Sequence, residues 1–301
     1  MINVIGNKKI FLGIALVLVL ASLVSIFYFG FRLGVDFTGG SLWQLKVPGT
    51  DAQSLENFFE SDLKLDVHGT SFDRSTETYA LTLNEISDSD RQSYFEKIKT
   101  KFNGADDLDF WHVTPSVSKE LRNKSITAVV LVMVVISLYI AFVFRKVSRP
   151  VSSWKYGIIT LITLMHDVII PAGMFAILGH FVGVTADTNF MVALLVVMGF
   201  SVHDTIVVFD RIRENLMKSR QINFDLDEIV NRSVNETFAR SVNTSLTLLL
   251  VLLGLYFWGP AGLQYFVLTM LVGTMVGTYS SIFVASPLLV LSHKLSVSAR
   301  K

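Results

Sequence analysis

Six runs of mostly apolar residues constrain this chain more than any other feature. A helix needs about 20 such residues to cross the hydrocarbon core of a bilayer. Inside that core every backbone N–H and C=O must be paired within the spanning structure, which helices and closed barrels alone achieve. The runs cover residues 10–30, 126–144, 156–179, 188–209, 242–258 and 263–291, the fifth being short enough to need an extra turn at either end. The composition agrees, with 51% apolar residues among 301. Lys8 and Lys9 precede the first run as in a signal peptide. Its apolar stretch is too long for a typical signal core, however, and no small-x-small cleavage site follows, so it reads as an uncleaved helix.

Lys and Arg in the short loops orient the spans. Arg145, Lys146, Arg149 and Lys155 follow the second span, Arg211, Arg213, Lys218, Arg220 and Arg232 follow the fourth, and Lys294, Arg300 and Lys301 end the chain. The loops around 180–187 and 259–262 carry none. Both termini are therefore expected in the cytoplasm, with residues 31–125 outside. A net charge of +1 points to no nucleic-acid partner, and the lack of cysteine excludes thiol catalysis, disulfides and cysteine metal sites.

Between the first two spans the periodicity changes. Residues 41–47 alternate like a half-buried strand, residues 52–63 carry apolar positions at helical spacing after an Asp51 cap, and 78–83 alternate again. Residues 87–102 read as a charged amphipathic helix and 108–114 as a further strand, with an additional strand near 67–73. The expected architecture is a mainly α membrane protein, a six-helix transmembrane bundle with a small α/β extracytoplasmic domain inserted between helices 1 and 2. Residues 1–30 form the first transmembrane helix, 31–125 the α/β domain, and 126–301 helices 2–6 with a cytoplasmic amphipathic segment at 210–240. In that segment Ile212, Leu216, Ile222, Phe224, Leu226, Ile229 and Val230 suggest a face lying on the membrane surface. No phosphate-binding loop, metal-spaced cluster or nucleophile motif is present, so neither an enzyme nor a cofactor is expected.

An ionisable side chain in hydrocarbon costs at least about 2.5–3.5 kcal/mol, so each one needs a reason. His166 and Asp167 stand mid-way along the third span. His203 and Asp204 stand in the fourth, which ends with Asp210, Arg211 and Arg213, and Arg240 opens the fifth. Asp204 and Arg211, seven residues apart, share a helical face, and Asp204 and Arg240 could meet between helices. A membrane carboxylate with a movable arginine can bind and release a proton as the pair opens and closes. The competing reading is a static ion pair that sets helix packing. His166 and His203 serve either in proton handling or as interhelical packing bonds, and Arg211 and Arg213 read as interfacial anchors. Gly273 and Gly277 form a Gly-x-x-x-Gly spacing that favours close helix contact.

Several of these segments resemble one family. Gly34-Val35-Asp36-Phe37-Thr38-Gly39-Gly40 resembles the signature of the SecD/SecF protein-export membrane proteins. Leu164–Asp167, Gly199–Asn215, Thr237–Ser241 and Tyr279–Ala285 resemble the third- to sixth-helix motifs of the SecF branch. That resemblance implies a subunit acting beside the Sec translocase, in the resistance-nodulation-division superfamily, using the proton-motive force with SecD to drive or complete preprotein export. It implies SecD, the SecYEG translocon, YajC, unfolded preproteins and membrane lipid as partners in a bacterial cytoplasmic membrane. It also implies Asp204 as the proton-pathway aspartate and Arg240 as its partner, and His203 stands where the family often has Asn. Two alternatives stay open: half of a proton-coupled small-molecule or lipid exporter, and a passive scaffold of the translocon.

Overall fold

The computed structural model describes residues 2–73, 76–146, 151–218 and 225–298. Arg149, Arg220, Ile222, Phe224, Arg300 and Lys301 lie outside the described residues. The chain divides into two compact units. The first holds Met1–Tyr28, Ala128–Met174 and Val192–Lys301, and the second holds Phe29–Thr127 with Phe175–Met191.

In chain order the elements are α1 (Lys8–Phe29), α2 (Val35–Thr38), β1 (Gly40–Lys46), α3 (Ala52–Asn57), β2 (Val67–Asp73), β3 (Thr78–Leu83), α4 (Asp88–Lys101), β4 (Asp106–Val113), α5 (Pro115–Val143), α6 (Ser153–Val182), α7 (Thr188–Lys218), α8 (Leu226–Trp258), α9 (Gln264–Ser280) and α10 (Ser286–Ser298). A π turn at Ser281–Ala285 joins α9 to α10 into one span, Gln264–Ser296. With α1, α5, α6, α7 and α8 this makes six helices long and apolar enough to cross a membrane.

The six are not equivalent. The most apolar stretches of α6, α7 and α9–α10 are 61%, 50% and 56% buried, against 17%, 6% and 17% for α1, α5 and α8. The buried His and Asp residues of the spans, His166, Asp167 and Asp204, lie on α6 and α7, while the buried polar residues of α1 and α8 are serines and a threonine. This is the arrangement hydrocarbon demands, because a polar side chain is tolerated only where protein covers it. Close approach of α9 to α7 depends on Gly273 and Gly277. A Cβ on Gly273 would meet the Val197 side chain at 2.3 Å, and one on Gly277 would meet the Ser201 Cβ at 2.9 Å. The Gly-x-x-x-Gly spacing therefore does the packing its sequence suggests.

Residues 210–240 are used differently from the surface-lying segment expected. Residues to Lys218 continue α7, and α8 starts at Leu226, well before residue 242. Ile212, Leu216, Leu226, Ile229 and Val230 are all buried in one core with Phe144, Tyr156 and Phe209. Tyr156 stacks on Phe144 at 5.0 Å and meets Phe209 edge-on at 5.1 Å. The amphipathic pattern is satisfied by two helix ends covering one another, so these apolar positions are not left for lipid.

In the second unit four strands form one antiparallel sheet in the order β2-β3-β1-β4. Alternation in β1 and β3 sends Trp43, Leu45, Tyr79, Leu81 and Leu83 to one face, where Leu55, Phe59 and Ile98 from the helical segments cover them. Asp51 accepts the Ser54 N–H at 2.6 Å and Ser87 the Asp90 N–H at 3.2 Å, so the helices start where their caps stand. The strand at 67–73 completes the sheet.

Candidate functional site

The Gly34–Gly40 segment makes a single helical turn and then reverses into β1. Gly39 and Gly40 have φ of +80° and +119°, and a Cβ on Gly40 would stand 2.4 Å from the Leu83 carbonyl oxygen, so no side chain fits there. Asp36 Oδ2 accepts the backbone N–H of Thr188 at 2.9 Å, at the first residue of α7. Asp187 Oδ1 accepts the N–H of Phe190 at 2.9 Å, and Gly34 N–H donates to the Ala186 carbonyl at 2.8 Å. The start of α7 is thus held by two carboxylates, where the helix macrodipole favours negative charge. Burial pushes the Asp187 carboxyl up from its ordinary value, and the neighbouring charge of Asp36 acts in the same direction. Thr38 bonds back to the Gly34 carbonyl, and Phe37 is buried. Asp187 was not singled out in the sequence, although an Asp one residue before a helix is a capping signal.

Among the described residues of the bundle two carboxylates are buried, Asp167 on α6 and Asp204 on α7. Their surroundings differ. Asp167 takes three donors: His166 Nδ1 to Oδ1 at 2.8 Å, and Ser280 at 2.8 Å together with Ser201 on Oδ2. Asp204 takes one, the Ser245 hydroxyl of α8 at 3.3 Å. That hydroxyl has a single hydrogen, and it lies closer to two other acceptors, the Ser241 carbonyl at 2.8 Å and Thr278 Oγ1 of α9 at 2.6 Å. Asp204 is therefore the poorly compensated carboxylate of the two.

Among the described residues no ion pair joins Asp204 to a cation of this chain. Arg240 is exposed. The reason is helical phase. Ser245 faces Asp204, and five residues along a helix of 3.6 residues per turn place Arg240 about 140° around the axis from it. Ser241 and Ser245, four apart, occupy the facing side instead. Arg211 does not reach Asp204 either. It pairs with Glu236 of α8 and with Glu214, each at 2.6 Å, and Glu236 also receives Arg232 at 2.9 Å and Asn215 at 2.8 Å. Arg213 pairs with Asp210 at 3.2 Å. His203, next to the buried Asp204, is itself exposed, as is Asp210.

Sequence reasoning missed Glu236 and the hydroxyl partners Ser201, Ser245 and Thr278. Ser and Thr inside an apolar helix usually bond their own backbone, as Ser245 and Thr278 also do here. Their sequence signal is weak for that reason.

These features define a multi-pass membrane protein whose buried His and Asp side chains lie on the inner helices α6 and α7. Comparison with known proteins then specifies the family. Residues 94–295 match the C-terminal domain of the protein export membrane proteins SecD/SecF, and residues 24–47 match the SecD/SecF GG motif. The chain is 42% identical to protein translocase subunit SecF of Thermobaculum terrenum over 96% of its own length and 93% of that protein's. It is 36% identical to protein translocase subunit SecDF of Thermus thermophilus over 92% of its length and 37% of the relative's. A crystal structure of SecDF from the genus Thermus, described as a translocon-associated membrane protein, matches 97% of this chain with a TM-score of 0.84 and 32% identity. The chain spans 39% of that structure's length. A second SecDF structure, in a super-membrane-facing form, matches with a TM-score of 0.69. The chain belongs to the SecD/SecF family of protein-export membrane proteins, with its full-length likeness to the SecF subunit.

Proposed function

We propose that this chain is an accessory subunit of the Sec protein translocase that works with SecD and uses the proton-motive force to drive or complete preprotein export. Its role is transport rather than covalent catalysis. The observation that carries this reading is Asp204, a carboxylate buried in the inner helices with one long hydrogen bond and, among the described residues, no ion-pair partner. A carboxylate so placed needs either a proton or a charge supplied from outside the chain. Arg240, exposed on α8, suits a partner in the membrane, and the family likeness supports SecD as that partner. The SecYEG translocon, YajC and unfolded preproteins complete the expected assembly.

No Asp204–Arg240 pair is formed within the chain, so this chain alone supplies neither the static pair of the scaffold reading nor the movable pair of the relay reading. Orientation follows the same logic. Lys8 and Lys294, near the two ends of the chain, both pair with Asp227 at the start of α8, at 3.2 and 2.6 Å. This shared side, with the basic loops read from the sequence, supports both termini being cytoplasmic.

Replacing Asp204 by Asn keeps the size and hydrogen-bonding capacity of the side chain but removes the charge. The Asp204→Asn protein should still co-purify with SecD, while preprotein export loses its stimulation by the proton-motive force. Undiminished stimulation in that variant would overturn the proton reading.

A further inference from the structure

The Asp167 cluster has an unfinished edge. Three donors converge on its carboxyl group, and an ionised carboxylate, an acceptor at both oxygens, can take all three. His166 Nδ1 must then carry the hydrogen it gives to Asp167. In a neutral imidazole this leaves Nε2 as a bare acceptor. Nε2 is fully buried and has no hydrogen-bond partner, and His166 as a whole is 5% exposed. The pair thus holds one uncompensated negative charge among the inner helices. Among the described residues no Lys or Arg is paired with it. Pro171 sits four residues beyond Asp167 inside α6 and lacks the N–H that would bond the Asp167 carbonyl, which adds a further acceptor at this level of the helix.

We propose that His166 Nε2 is a second proton-binding position in this bundle, with Asp167 as its fixed counter-charge. The proposal extends the proton-driven reading of Asp204 to a separate site. A proton delivered by hydronium bonds to the Nε2 lone pair and leaves water behind. The Nδ1–H bond to Asp167 stays intact, no other covalent bond changes, and the net charge of the pair goes from −1 to zero. Release reverses the step. The other titratable group against His166 is Tyr279 of α9, whose ring lies parallel at 6.4 Å and whose hydroxyl donates to the Phe11 carbonyl of α1. From α7 the ionisable neighbour in the same interior is Asp204.

The two proton positions are joined by contacts through α7 and α9. Ser201, on Asp167, precedes Asp204 by three residues on α7. Ser280, also on Asp167, follows Thr278 by two on α9, and Thr278 meets Asp204 through Ser245. Gly277 lets α9 lie directly against Ser201. The π turn at Ser281–Ala285 begins next to Ser280, and such turns are frequent at functional sites in helices.

The test uses the full chain in lipid nanodiscs, labelled with nitrogen-15 histidine. The other five histidines, His68, His112, His180, His203 and His293, are changed to Gln so that His166 stays native and gives the sole imidazole signal. Between about pH 8 and pH 5 the Nε2 resonance should move from the bare-nitrogen to the N–H position, with Nδ1 protonated throughout. Asp167→Asn, which removes the counter-charge, should abolish the conversion. An imidazole that stays neutral over the whole range, or that carries its hydrogen on Nε2, overturns the proposal. So does a conversion unchanged by Asp167→Asn. Adding Asp204→Asn separates the two readings. A His166 conversion that persists while export proves independent of Asp204 sinks the proposed function and leaves this site standing.

Discussion

At the scale of single residues, ionisable groups in this chain are told apart by their donors rather than by their depth. Asp167 and Asp204 are equally buried, yet one has three hydrogen bonds and the other has one long one. Asp187 shows the same logic at the start of α7, where burial and the Asp36 charge outweigh the capping bonds and hold its carboxyl above the ordinary value. The sign of the pH effect follows. A raised carboxyl binds its proton more readily in the folded state, so its ionisation weakens the fold progressively as pH rises through the folded value, and the effect is absent below the ordinary carboxylate range. Asp187→Asn keeps the cap, because Asn caps as well as Asp. Its thermal midpoint relative to the parent should rise as pH increases from about 4 upwards. A difference that is flat in pH would contradict this account.

At the scale of elements, helix contacts depend on small side chains more than on apolar ones. Lipid is as apolar as leucine, so α7 and α9 gain from close packing and interhelical hydrogen bonds rather than from escaping solvent. Gly277 lies against Ser201, and that contact brings α9 near enough for Ser280 to reach Asp167. Gly277→Leu should push the two helices apart and destabilise the bundle by about 1–3 kcal/mol, as overpacking generally does. Chemical unfolding in detergent measures this, and a variant as stable as the parent would remove the glycine from the argument. The start of α8 illustrates a second element-scale rule. A polar amphipathic stretch became the first turns of a 33-residue helix because its apolar face met the end of α7.

At the scale of the whole molecule, the outer face of α8 is unusually polar for a membrane helix. Arg240, Asn243 and Thr247 are exposed along it, spaced three and four residues apart and so on one stripe. Such a stripe is costly against lipid and suits another protein. The chain has no cysteine, so Asn243→Cys introduces a unique thiol. In membranes containing SecD this thiol should cross-link to SecD and be shielded from membrane-dissolved thiol reagents. Equal labelling with and without SecD would show that lipid covers the stripe.

Periodicity and composition alone were enough to read the six spans, the strands and two helices of the α/β segment, the cap at Asp51, and the Gly273–Gly277 contact. Each of these depends on local spacing, and local spacing is written along the chain. The same reading found His166, Asp167, His203 and Asp204 inside the apolar runs, because hydrocarbon makes such residues conspicuous. It could not assign their partners. Whether Asp204 meets Arg240 or Ser245 depends on how α8 is rotated about its axis against α7. That rotation is set by packing over the full length of both helices. The tertiary structure therefore decided that Arg240 is exposed on α8, that Arg211 pairs with Glu236, and that serines from α7 and α9 complete the Asp167 cluster and leave His166 with one bare nitrogen.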